Sequence, residues 1–173
     1  MSDDPVTRIL SAIERLGVQI LHRIDRLEAG STHEHDRLPA EIRAHVQGIG
    51  DVEGKIGDWV GEPRSGRWIE GFAVTPLRPF SAEELLYRVV LGRDQLSPWT
   101  PSGRFCGSMG LAIPLRGFCM MLTGAAAANY ECAYNASFVD GSVAAPTPGG
   151  TLCTSATLSP LEAFRVILRP RTA

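Results

Sequence analysis

The sequence predicts a mainly β domain with pseudo-threefold internal symmetry, preceded by an amphipathic α-helix. A six-residue pattern (apolar, any, small, Phe, any, apolar) occurs three times, and its phenylalanines, Phe72, Phe118 and Phe164, are spaced 46 and 46 residues apart. Around each copy, apolar and polar residues alternate with period 2 between turns rich in Gly and Pro, as half-buried strands do. All twelve aromatic residues lie beyond residue 58, whereas the first 30 residues hold apolar positions at helical spacing. The 173 residues thus divide into an oligomerisation helix (residues 1–30), a linker (31–41) and a three-repeat β domain (42–173).

The helix is predicted from Pro5 to Ala29, with Asp4 as N-cap, Pro5 at the first helical position and Gly30 as the stop. Val6, Leu10, Ile13, Gly17, Ile20, Ile24 and Leu27 follow alternating steps of 4 and 3, a heptad seam interrupted at Gly17. Ile9, Leu16 and Leu21 widen the stripe beyond what a two-stranded contact covers. It therefore points to a homo-oligomer through a bundle of three or more helices, with packing on its own domain as the alternative. The linker carries His33, His35 and Asp36, too few ligands for a specific metal site, and reads as solvated chain.

In the body, each Phe unit (Ile69–Val74, Leu115–Met120, Leu161–Val166) follows a second related segment that ends at an aspartate: Ile42–Asp51, Tyr87–Asp94 and Tyr134–Asp140. Between the two lies a glycine-bearing turn and, in the last two repeats, a strand holding Cys106 or Cys153. Units of about 46 residues without ten-residue amphipathic helices are strands rather than a helical solenoid. Ser81–Glu84 matches a capping box, and the chain from Pro39 to Val46 has helix-start character, but both overlap strand positions. The run Thr123–Asn129 reads as a hairpin turn that sets Cys119 and Cys132 facing each other.

The stretches Ala44–Gly50, Trp99–Gly110 and Pro160–Leu168 resemble the clostridial hydrophobic repeat with its signature tryptophan (the ChW repeat), over roughly residues 42 to 168. The third repeat departs from the pattern, with Ala144 and Ala145 near the expected tryptophan. Phe105–Gly110 followed by Leu115–Leu122 is similar, more distantly, to the last strands of jacalin-type lectins. That resemblance implies a β-prism of three four-stranded sheets with sugar bound in loops at one end, although the lectins' G-x-x-x-D loop has no clear copy here. A β-trefoil is the structural alternative, because it also uses three units of this length.

Charge and motifs exclude several functions. Residues 46–173 carry eleven acids and eleven bases, with no basic stripe for nucleic acid. The N-terminus lacks a secretory pattern, so a cytoplasmic location is the default expectation, and the uncharged stretch from Gly141 to Leu161 is too rich in Pro, Gly, Ser and Thr to span a membrane. Four cysteines without a C-x-x-C pair do not suggest zinc, and no nucleotide or cofactor fingerprint occurs. His45 is the only histidine of the body, and it falls in an alternating strand; catalysis is not expected. The recurring aspartates fit either turn chemistry or sugar recognition, in which a carboxylate accepts hydroxyl hydrogen bonds beside an aromatic ring. Asp94 with Trp99, five residues on, fits best. Asp51 with Trp59 and the solitary Asp140 follow. The expected function is a non-catalytic carbohydrate-binding module without metal or cofactor, with a structural or assembly role as the alternative.

Overall fold

The computed structural model describes residues 41–75 and 78–172. The predicted N-terminal helix, nearly all of the linker, and His33, His35 and Asp36 lie outside the described residues. Alternation decides the long strands. In β1 (Glu41–Val46) Ile42, Ala44 and Val46 are buried while Arg43 faces out. Beside it lie β2 (Gly50–Lys55) and β4 (Ile69–Val74), with β3 (Trp59–Gly61) between them in sequence. The same order recurs as β5 (Leu85–Gly92), β6 (Gln95–Leu96), β7 (Thr100–Pro101), β8 (Cys106–Gly107) and β9 (Gly117–Leu122). It recurs again as β10 (Tyr130–Phe138), β11 (Val143–Pro148), β12 (Cys153–Thr154) and β13 (Leu161–Pro170).

These strands form three open antiparallel sheets: sheet 1 runs β2-β1-β4-β8, sheet 2 runs β6-β5-β9-β12 and sheet 3 runs β11-β10-β13-β3, with β7 also paired to β5. Three strands of each sheet come from one stretch of chain, and the edge strand comes from another. The edge strands β8 and β12 come from the following stretch, and β3, near the start, completes the last sheet. Registers agree as well: Phe72 lies opposite Cys106, Phe118 opposite Cys153, and Phe164 opposite Val60. The chains approach so closely beside these pairs that a Cβ on Gly107 or Gly61 would collide with the carbonyl of Glu70 or Glu162, and both glycines have positive φ (114° and 82°).

The core lies where the three sheets converge. Phe72, Phe118 and Phe164 are fully buried, with ring centroids 4.8, 5.1 and 5.8 Å apart. Tyr87 and Tyr134 pack on Phe72 and Phe118 at 5.1 and 4.9 Å. Their hydroxyls stitch neighbouring stretches together. Tyr87 accepts from the Val74 N–H and donates to the Arg104 carbonyl; Tyr134 accepts from the Met120 N–H and donates to the Thr151 carbonyl. Burial pushes the Tyr87 phenol up to about 12 and that of Tyr134 upward as well, so both keep the proton they donate.

At the start of each inner strand a long polar side chain pins a loop. Buried Glu162 accepts from the Ser137 hydroxyl at 2.7 Å and from the N–H groups of Arg64 and Gly66 at 2.7 and 3.2 Å. Buried Glu70 accepts from the Leu111 N–H at 3.0 Å, and Arg116 donates to the Leu158 carbonyl at 3.1 Å. Each loop turns on a non-glycine residue with positive φ: Arg64, Ala112 and Leu158.

Glu41–Val46 is strand, as its overlap with strand positions implies. One local expectation changes. The segment after β9 is not a hairpin turn: Gly124–Asn129 forms helix α1, and β9 and β10 belong to different sheets, so Cys119 and Cys132 do not face each other across paired strands. Alanine has the highest helix propensity, and both ends of this alanine run are tied by distant residues. Glu84 accepts from the Ala126 N–H, while Arg171 donates to the Ala127 and Tyr130 carbonyls. Glu84 also closes the Ser81 capping box around a single 3-10 turn, Ala82–Glu84, and these N–H donors hold its carboxyl below the usual range.

Each of Phe72→Ala, Phe118→Ala and Phe164→Ala is expected to destabilise the domain by about 3–5 kcal/mol in denaturant melts. Losses below about 1 kcal/mol for two of the three would refute the central triad. Glu162→Ala, which strands three donors, is expected to destabilise by about 3 kcal/mol or more, and Glu70→Ala, which strands one, by about 1–2 kcal/mol; the reverse ranking would refute the loop-anchor assignment.

Candidate functional site

The three aspartates singled out in the sequence occupy different places. Asp51 lies on β2, where its Oδ1 is 2.6 Å from His45 Nδ1 across the β1–β2 pair and its Oδ2 is 3.9 Å from Arg43 Nε. No hydroxyl or thiol bonds to the His45 ring among the described residues. Asp140 sits in the β10–β11 turn and accepts from the Ser142 hydroxyl and N–H and from the Thr157 hydroxyl. The Ser142 hydroxyl first, then that of Thr157, holds its carboxyl below the usual range. Asp94 is itself the left-handed residue of the β5–β6 turn (φ 58°), the part that Gly48 and Gly141 play in the other two hairpins. Aspartate tolerates that conformation.

Nor does the fold join Asp94 to Trp99. Gly92 pairs with Gln95 at the turn while Tyr87 pairs with Thr100, so Trp99 stands beside Arg88, roughly 13 Å along the strand from Asp94 by strand rise. The Arg88 guanidinium covers the Trp99 ring at 4.5 Å, and Arg165 covers Trp59 at 5.6 Å. Each tryptophan is 37% exposed, with an arginine on one face of its ring.

Arg165 also borders a concavity. A cleft of about 680 Å³ lies on the outward face of sheet 3. Its floor follows from the register: Asn135 opposite Arg165, Ala133 opposite Ile167 and Glu131 opposite Arg169 place these six side chains on one face, while Phe164, Val166 and Leu168 alternate into the core. Ala127 of α1, Tyr130 at the start of β10, Pro146 and Pro148 of β11, and Arg171 also line it. The Arg165 Nη2 donates to Asn135 Oδ1 at 3.4 Å, whereas its Nε is buried without a hydrogen-bond partner. Glu131 lies 3.4 Å from Arg171. None of these cleft residues was singled out in the sequence. The signal was present as Arg165-x-Ile167-x-Arg169-x-Arg171, a polar face at period 2 on the last strand.

The four cysteines are free thiols, with Cys106, Cys119 and Cys153 buried. Burial pushes the Cys132 thiol, at the cleft wall, up to about 12, and raises that of Cys153. No group of His, Cys, Asp or Glu suited to a metal ion occurs among the described residues. No helix among them is long and apolar enough to cross a membrane. Comparison with protein-family models, curated proteins and solved structures returns no match to this chain.

Only the thiolate reacts, so at pH 8 native Cys132 is expected to alkylate roughly a thousandfold more slowly than an ordinary thiol, with the rate rising about tenfold per pH unit below 11. Mass spectrometry of iodoacetamide-treated protein, native and denatured, checks this; equal labelling in both states would refute it.

Proposed function

We propose that the chain is a non-catalytic binding module on a pseudo-threefold, β-prism-like domain, and that its ligand is a carbohydrate held in the sheet 3 cleft. The observation that carries this reading is the cleft itself. Its volume is in the range of small-ligand sites, its floor presents in-plane hydrogen-bonding groups (Asn135, Arg165, Glu131), and its walls are apolar. Sugars demand that combination, since they pair hydroxyls with C–H faces. The shared strand order of the three sheets supports the three-repeat reading, as does the resemblance to ChW repeats and jacalin-type lectins. The N-terminal helix read from the sequence would gather several such domains, so that weak single sites act together.

A glycan array probed with the full chain tests the function, followed by calorimetry on a hit. Ala133→Phe, which fills the cleft floor, is expected to abolish binding, whereas Asp94→Ala and Trp99→Ala leave the affinity within about twofold. Tenfold losses in the latter pair with none in Ala133→Phe would return the site to the Asp94–Trp99 strand. An array without hits would overturn the carbohydrate reading.

Assembly through the β domain is the second reading, favoured by exposed apolar side chains: Ile49, Leu111 and Val143 are 54%, 66% and 64% exposed. Dissociation of an oligomer by Leu111→Asp in sedimentation runs would support it.

A further inference from the structure

We infer that the sheet 3 cleft recognises a carboxylate, and that Arg165 and Arg169 receive it. The inference deepens the carbohydrate reading and rests on it for the ligand class, an acidic saccharide built from uronic acids. Three guanidinium groups, Arg165, Arg169 and Arg171, line the cleft against a single carboxylate, Glu131. Residues 46–173 as a whole carry eleven bases and eleven acids, so outside the cleft the body holds eight bases and ten acids, and the positive excess is local to this cleft.

The geometry shows which cations are uncommitted. Arg171 is engaged three times, by the Ala127 and Tyr130 carbonyls and by Glu131. Glu131 lies opposite Arg169 in register, but its ion pair within 4 Å is to Arg171. Arg169 has no hydrogen bond or ion pair among the described residues, and Arg165 has only the amide oxygen of Asn135. Arg165 is half-buried on Trp59, with its Nε out of solvent and unpaired. A desolvated guanidinium without a counter-charge is unfavourable, and an incoming anion relieves it. On β13 the two arginines are four residues apart on the same face, about 13 Å at Cα, with Ile167 between them and Ala133 opposite it in register. A carboxylate matches the planar fork of either guanidinium, and the neighbouring residues of the saccharide lie against Tyr130 and the two prolines.

Calorimetry on the full chain with trigalacturonic acid, its fully methyl-esterified form and citrate tests the inference. The acid form is expected to bind at least tenfold more tightly than the ester, to weaken as salt rises, and to lose that preference in the Arg165→Gln, Arg169→Gln double variant with unchanged melting. Arg165→Lys, which keeps charge but not the fork, is expected to retain part of it. Equal binding of acid and ester to the wild type, or a preference that survives the double variant, would overturn the inference while leaving the carbohydrate reading intact. Where neither saccharide binds, the uronic-acid assignment fails and the glycan array alone decides the carbohydrate reading; citrate binding that depends on Arg165 and Arg169 would then still support the carboxylate site, and its absence would overturn it. If Arg165→Gln lowers the melting temperature, Arg169→Gln alone decides, because Arg169 is exposed and its side chain makes no hydrogen bond or ion pair among the described residues.

Discussion

The contact of three phenylalanine rings, one from each sheet, is the constraint on which the architecture depends. Because Phe72, Phe118 and Phe164 must each reach the other two, the inner strands β4, β9 and β13 are brought together, and the residues on either side of each Phe inherit defined directions. The small residue before each Phe, Gly71, Gly117 or Ala163, faces the edge strand's Gly107, Thr154 or Gly61. One position earlier, Glu70, Arg116 and Glu162 turn to the loops. Glu70 and Glu162 are buried yet tolerated, because backbone groups of the loops complete their hydrogen bonds.

The strands and their alternation were legible in the sequence because the Phe pattern and its period depend on local burial alone. The provenance of the edge strands was not legible. Val60, Cys106 and Cys153 look like ordinary members of their own stretch, and nothing local says that each pairs with the inner strand of another. The alanine run Gly124–Asn129 was misread for a similar reason: Glu84 and Arg171, which tie its ends, are about 40 residues away in either direction. The aspartates recur in sequence but not in place. Asp51 pairs along a strand, Asp94 makes a turn and Asp140 braces one. An arginine from a neighbouring strand covers one face of Trp59 and of Trp99. The cleft was missed because its cations belong to an alternation that reads equally well as a solvated strand face.

The concavity on sheet 3 follows from strand length. β10 and β13 have nine and ten residues, more than any other strands, and they outrun β3 and β11 on either side. The uncovered floor is then walled by α1, held in place through Arg171, and by the Pro146–Gly150 segment. The same arginine thus builds the wall and engages Glu131, which leaves the other two cations of the strand face to whatever enters.

The exchange of edge strands also dictates an order of events during synthesis. β8 reaches its partner β4 across about 35 residues and β12 reaches β9 across a similar span, but β3 must wait for β13, about 100 residues later. A ribosome would therefore have to release almost the whole body before Val60 meets Phe164. Until then the third ring of the triad is missing, and the first two sheets enclose a half-formed core. Such a chain has little to gain from folding in pieces, since loop closure of that length must precede the contacts that reward it. The last strand made acts as the latch for one of the first, and a nascent chain that stops short of residue 161 carries an open edge at β3 rather than a smaller working domain.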